Sequence, residues 1–236
     1  MALSIQKMTD FDISAVCFSK LRKNKMGGKA VYINGSNNNK LYLQLPYMRA
    51  PFGLSSYTDE NTKRTSYSLD LSFDTTDPEA MKIEEKMKAF DELIVKTVAD
   101  NSQEWLGKKY NVAVMKEALY KPLVRPGKES YPSSLKLKVL FDNKNDKFIP
   151  EAYNSRRDNV PLDSIEKGQK VMTIIDVNQI WFIDNKFGVS VRLQQVLLAP
   201  SKKLPSFAFQ DVETDDVDAE EAEEEEVEYE EEEVDI

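Results

Sequence analysis

The chain has 236 residues, 41% of them hydrophobic, enough for one large domain with a real core plus a tail, and no apolar run approaches the roughly 20 residues that span a bilayer. Cys17 is the only cysteine and histidine is absent, which excludes an intrachain disulfide, a cysteine-cluster zinc site, His-ligated metals and Ser-His-Asp or Cys-His nucleophiles. The formal charge of -9 hides a division: residues 211–236 hold 17 of the 41 acids and no base, so residues 1–210 carry all 32 bases against 24 acids, a net +8.

At the amino terminus, MALSIQKMTDFD lacks the charged-then-apolar order of a secretory signal, so a soluble intracellular protein is expected. FDISAVCFSK, residues 11–20, predicts a short apolar strand with Cys17 as a buried small hydrophobe. Lys20 to Lys29 is a basic loop, and its Met26-Gly27-Gly28-Lys29 is a turn signal without the spacing that cradles phosphate. Lys29–Ile33 and Lys40–Leu45 read as strands around the polar turn Asn34–Asn39. In LPYMRAPFGL, residues 45–54, Pro46 and Pro51 should stop regular pairing. Tyr47, Arg49 and Phe52 would then lie on a loop, where rings beside a cation either stack on bases or plug the end of a barrel.

Lys63 and Arg64 fall in the polar turn before an alternating strand, Thr65–Phe73. Asp77 then caps a helix that starts at Pro78, and Met81, Ile83, Met87, Phe90, Ile94 and Val98 give it an apolar stripe for the core. A second helix at about Asn111–Leu119 completes a helical insertion over about 77–119, and Tyr120–Ser134 is a proline-punctuated loop. Leu135–Val139 alternates, placing Lys136 and Lys138 on one solvated face. They serve there as an edge guard against aggregation or as a phosphate-tracking surface, and the positive body favours the second. Phe148–Leu162 is irregular and carries Arg156 and Arg157.

Val171–Leu198 reads as a β-hairpin that reverses at Asp184, Asn185 and Lys186. In its second arm Phe187, Val189, Val191 and Leu193 alternate with Gly188, Ser190, Arg192 and Gln194. In the first arm Gln179 breaks the alternation before Trp181, which requires a bulge or burial on both faces and leaves the face of Trp181 open.

Five to seven strands with inserted helices predict a mainly β, α+β fold: an OB-fold-like small barrel over residues 1–210, then a disordered acidic tail over 211–236. Such a tail either aids solubility alone or mimics a polyanion, competing for a basic groove at high effective concentration. The basic body favours the second role, with recruitment of a basic partner once the tail is displaced. The residues point to a nucleic-acid surface of Tyr47, Arg49, Phe52, Lys63, Arg64, Lys136, Lys138, Lys186 and Arg192. No catalytic residue, metal or cofactor is expected.

Four segments taken together, LPYMRAPFGL (45–54), YPSSLKLKV (131–139), IWFIDNKFGVSV (180–191) and LPSFAF (204–209) ahead of the acidic run, resemble the single-stranded-DNA-binding proteins of large nucleocytoplasmic DNA viruses. That family is similar in plan to the replication single-strand binders of short-tailed phages. The resemblance implies an OB-fold and non-catalytic, sequence-independent binding of single-stranded DNA in replication, recombination or repair. It also implies a tail that guards the groove and contacts replication proteins such as DNA polymerase, here through Glu223, Glu224, Tyr229 and Ile236, and it allows a homodimer. The expected location is intracellular: host cytoplasm at a viral replication site, nucleus, or virion, with no membrane association. The phage tails end in an aromatic residue, whereas this chain ends in Ile236 with Tyr229 inside. Two other functions fit parts of the chain. One is an acidic-tailed chaperone or scaffold for basic proteins such as histones. The other is a carboxylate- and metal-dependent enzyme, which the missing histidine and missing motif disfavour.

Overall fold

The structure is a computed structural model that describes residues 4–23 and 28–200, which belong to a compact unit spanning Met1–Ser201. It opens with β1 (Ile5–Lys7), 3-10 turns at Met8–Asp10 and Ile13–Ala15, β2 (Cys17–Phe18) and β3 (Arg22–Lys23). Four strands follow: β4 (Lys29–Asn34), β5 (Tyr42–Ala50), β6 (Leu54–Thr58) and β7 (Thr65–Ser72). The helices come next, α1 (Pro78–Asp100), α2 (Ser102–Leu106) and α3 (Val112–Val114), with one π-helical turn at Met115–Leu119. Then come β8 (Tyr120–Lys121), β9 (Val124–Arg125), β10 (Ser134–Val139), β11 (Phe141–Asp142) and β12 (Lys147–Phe148). The last four strands are β13 (Glu151–Tyr153), β14 (Asn159–Val160), β15 (Gln169–Ile183) and β16 (Lys186–Leu198).

Among the described residues, fourteen strands join one sheet and β11 pairs with β12 apart from it, giving a mixed α+β fold. This corrects the expected OB-type small barrel of five to seven strands. The reason lies in β15 and β16, which at 15 and 13 residues are long enough to carry several partners each. β15 pairs with β4, β5 and β16, while β16 also pairs with β8, β10 and β13. Several of the added strands have only two or three residues, too few to show an alternation in sequence.

Other expectations change for local reasons. Residues 11–20 form a 3-10 turn capped by Asp12, whose carboxylate accepts from the Ser14 N–H at 2.9 Å, and only Cys17–Phe18 pair as strand. Cys17 is half-buried. Pro46 does not stop β5, because the register of its partner shifts between Val171 and Thr173, and a bulge tolerates the missing N–H. The second helix keeps its expected range, α3 running on into the π turn to Leu119 with Asn111 at its N-cap, but of Val112, Val114 and Met115 only Met115 is buried, Val112 and Val114 being 44% and 43% exposed. The turn signal at Met26-Gly27 and the tail residues Glu223, Glu224, Tyr229 and Ile236 lie outside the described residues.

α1 starts where Asp77 accepts hydrogen bonds from the N–H groups of Glu79 (2.9 Å) and Ala80 (3.3 Å). Its buried face, Ile83, Met87, Phe90, Ile94 and Val98, joins Leu43, Leu45, Leu69, Leu71, Leu135 and Leu137 of the sheet in one core. Each such side chain contributes about 1.5 to 3 kcal/mol by leaving water. Asp91 on the same helix accepts from the Tyr120 hydroxyl and from the N–H groups of Leu123 (3.1 Å) and Val124 (3.3 Å), which pins the segment around β8 and β9 to the helix. Burial raises its carboxyl above the ordinary 3.8, and these three bonds pull it back.

Candidate nucleic-acid interface

Register decides which side chains share a surface, because residues opposite one another in neighbouring strands project to the same side. In β16 the inward set Phe187, Val191 and Leu193 is buried, so Lys186, Gly188, Ser190 and Arg192 point outward. In β15 the register shifts between Val177 and Gln179. Without that bulge Gln179 and Trp181 would follow Ile175 and Val177 inward; the extra residue, Asn178, reverses the parity and turns Trp181 outward opposite Gly188. Gly188 is required there, since a Cβ would stand 2.7 Å from Trp181 Cζ2 and 3.0 Å from the Lys121 carbonyl oxygen.

Arg192 is the centre of one outward row. Asp176 of β15 lies opposite it on one side and Lys138 of β10 on the other. The row continues from Lys138 to Ser68 of β7 and Ser55 of β6, and from Asp176 to Tyr42 of β5. Tyr57, 64% exposed, stands two residues beyond Ser55 on the same side. A second row runs from Lys170 through Arg49, Ser72 and Ser134 to Arg125 of β9. Lys136, opposite Asp70, sits between the two rows on β10. Lys136, Lys138, Arg49, Lys170 and Arg125 are all exposed.

A third group occupies the turn end of the hairpin. Arg22 and Trp181 both face Ala30 of β4, and Lys121 of β8 faces Gly188. The Arg22 guanidinium lies 5.2 Å from the Tyr32 ring centre, and the Lys121 ammonium lies 6.0 Å from that of Trp181. Lys40 makes a similar contact with Tyr42 at 6.0 Å. Cations and π faces therefore alternate along the outward surface, each ring attracting the charge over it.

The electrostatics of the central row are unbalanced. Asp176 is buried, which raises its carboxyl above the ordinary value, while Lys40, Arg192 and a 3.3 Å bond from the Asn178 amide lower it. Buried Arg192 Nε and Asn178 Oδ1 have no hydrogen-bond partner among the described residues. In the second row, the Arg49 guanidinium lies against Gly168, where a Cβ would meet Nη2 at 3.4 Å and φ is 81°. Asp74 is lowered chiefly by the Thr76 N–H and hydroxyl, with Lys170 and Arg49 adding to the effect.

The residues expected from sequence divide accordingly. Arg49, Lys138 and Arg192 fall on the rows, and Lys136 between them. Lys186 shares the outward side of β16 but sits at its turn end opposite Ile183. Lys63, with φ 53°, and Arg64 lie in the exposed β6–β7 turn beyond Tyr57. Phe52 is 60% exposed in the β5–β6 turn, and Tyr47 is half-buried in a cleft it shares with Lys7, Asp77 and Lys170. Sequence reasoning missed Arg22, Tyr32, Lys40, Tyr42, Lys121, Arg125 and Lys170 as members of the surface. Their only signal is the strand they oppose, which pairing reveals and periodicity does not.

Among the described residues no cluster of three or more Asp, Glu, Cys or His could hold a metal, and no helix is long and apolar enough to cross a membrane. Uncharacterized protein L291 of Acanthamoeba polyphaga mimivirus is 25% identical over 169 residues, which cover 70% of this chain and 27% of that protein. The chain thus spans about a quarter of the length of the curated relative it matches. Among solved structures, gp2.5, a single-stranded DNA binding protein encoded by bacteriophage T7, has a TM-score of 0.44 at 14% identity, covering 80% of this chain and 100% of that one. The single-stranded DNA-binding protein from bacteriophage Enc34 in complex with ssDNA has a TM-score of 0.39 at 14% identity, covering 78% and 97%. Residues 65–215, more than half of the chain, match the family of unknown function DUF5871, and the protein belongs to that family.

Proposed function

We propose that the protein binds single-stranded DNA without sequence preference and without catalysis, along the outward face of β10, β15 and β16. The observation that carries this reading is the registered surface itself: Arg49, Lys136, Lys138, Lys170, Arg125 and Arg192 gather in rows, and Tyr42, Tyr57, Tyr32 and Trp181 share their side. Cations neutralise phosphates, and rings stack on bases at about 1 to 3 kcal/mol each whatever the base. A duplex keeps its bases stacked inside, so the rings would go unused on it. The acidic segment 211–236 supplies 17 carboxylates tethered to a body of net +8, and it competes with the strand for this surface. Once displaced, it recruits replication proteins such as DNA polymerase.

The test is affinity for single-stranded DNA, duplex DNA and RNA of equal length at two salt concentrations, with the full chain and with residues 211–236 removed. Single strands should bind more tightly than duplex, affinity should fall steeply with salt, and truncation should tighten binding. Equal affinity for duplex, or salt-independent binding, sinks the reading. A body that ignores oligonucleotides while the acidic segment alone captures a basic protein would favour the chaperone function instead.

A further inference from the structure

The outward face does not end at Tyr42. Beyond it lies a groove of about 260 Å³ floored by Ile174 and walled by Tyr42, Ile5, Ile149 and Gln195, with Ile5 and Ile149 50% and 56% exposed. The groove shares Ile174 and Gln195 with a second one, of about 330 Å³, along Met172 and Leu197 to Tyr153 and Arg157. The two form a trough across β5, β15 and β16 that starts at a ring of the central cationic row and ends at an exposed arginine.

We infer that this trough is a base-accepting subsite in which Tyr42 and Tyr153 stack bases of a single strand whose phosphates lie on the Lys138–Arg192 row and on Arg157. The inference rests on the proposed function and adds where the bases go. Three features of the trough point to bases as the occupant. Its floor is apolar, and its two rings are half-buried, so each is fixed in place and offers a face. Its polar lining includes the amides of Gln44, Gln194 and Gln195, and an amide carries both donor and acceptor, so it pairs with the edge of any base. The one carboxylate in the wall, Glu151, accepts from the Tyr153 hydroxyl at 2.7 Å and the Gln195 amide at 3.1 Å. That carboxylate repels phosphate from the floor and accepts from exocyclic amino groups, so the backbone stays on the cations at either end. Continuity supplies the path, since Tyr42 belongs both to the row, opposite Asp176, and to the trough.

The experiment compares ordinary and abasic single-stranded DNA for the full-length protein and for Tyr42→Ala, Tyr153→Ala and the double variant, with Tyr42→Phe and Tyr153→Phe as ring-retaining controls. Wild type should bind the abasic strand more weakly. Each Ala variant should lose about fivefold to a hundredfold on the ordinary strand. The double variant should distinguish the two strands less than either single variant does, since Tyr57, Tyr32 and Trp181 remain, its salt dependence should stay unchanged, and the Phe variants should bind as wild type. Ala variants that bind as wild type, or that lose equally on both strands, overturn the subsite. If Lys138→Ala and Arg192→Ala still weaken binding in that case, the subsite alone fails and the trough belongs to a protein segment. If those cation variants are silent too, the function proposed above fails with it.

Discussion

Two buried aspartates of this protein live under opposite rules. Asp91, between α1 and the β8–β9 segment, has three protein donors pointed at it and touches a hydroxyl and two backbone N–H groups that would otherwise be buried unpaired. Asp176, in the outward row of β15, receives one long amide bond among the described residues, and the polar atoms around it, Arg192 Nε and Asn178 Oδ1, have no partner among them. Burial raises both carboxyls. The difference teaches where the fold spends its polar groups. At the helix junction they are closed upon one another and fix structure, whereas beside Asp176 they are held in register with fewer partners among the described residues.

The contrast can be broken in four places. The largest effect is expected from Asp91→Ala, which strips the acceptor from three buried donors at about 1 to 3 kcal/mol each. Urea denaturation should show a loss of about 3 kcal/mol or more, while the folded protein keeps its oligonucleotide affinity; a stable variant would show that the junction is not closed as described. Next comes Gly188→Ala, whose methyl must displace the Trp181 ring or the Lys121 carbonyl, with a cost of about 1 to 3 kcal/mol and a shift in tryptophan fluorescence. Unchanged stability and emission would place Trp181 elsewhere.

Third, Arg192→Ala and Lys138→Ala should each lower the slope of log affinity against log salt by about 1, and the exposed Lys138→Ala should alter stability by no more than about 0.5 kcal/mol. A large loss of stability with an unchanged slope would move these residues to the structural side of the comparison. The smallest effect is expected from Asp176→Asn. The unfolded chain ionises Asp176 near the ordinary 3.8 and the folded chain above it, so the folded state holds more protons in that window. Stability from this site is therefore lost as pH rises from about 4 through the raised folded value. The variant should lack that part of the slope and should bind oligonucleotide slightly more tightly at neutral pH, by about 0.2 to 1 kcal/mol. Asp91 has the same sign and the lowered Asp12, Asp59, Asp74 and Asp142 the opposite one, so the difference between variant and wild-type curves is the quantity to measure. An identical pH profile in the two proteins would remove Asp176 from the account.

Much of this was legible in the chain because it depends on neighbours in sequence. The strand Ser134–Val139, the Asp77-capped helix and the hairpin about Asp184, whose φ is 53°, follow from alternation, capping and turn chemistry. Lys136, Lys138 and Arg192 were readable as outward for the same reason. The reading of β5 failed at Pro46 because the rule that proline ends pairing holds only where the strand has no bulge, and Pro46 and Tyr47 together stand opposite Met172, a bulge that only the register with β15 reveals. The count of strands failed because pairs such as Tyr120–Lys121 become strands only by lying beside β16.

Sequence alone determined the charge division, the exclusion of histidine chemistry, the local elements, and which side chains of a strand travel together, since each of these needs only composition or a repeat of two or 3.6 residues. Only the tertiary structure decided that Arg192 stands between Asp176 and Lys138, that Trp181 faces outward beside Lys121, and that Tyr42 joins the cationic row to the trough. Those facts are set by register between strands, and a slip of one residue in β15 would have sent Asp176 and Trp181 to the other face.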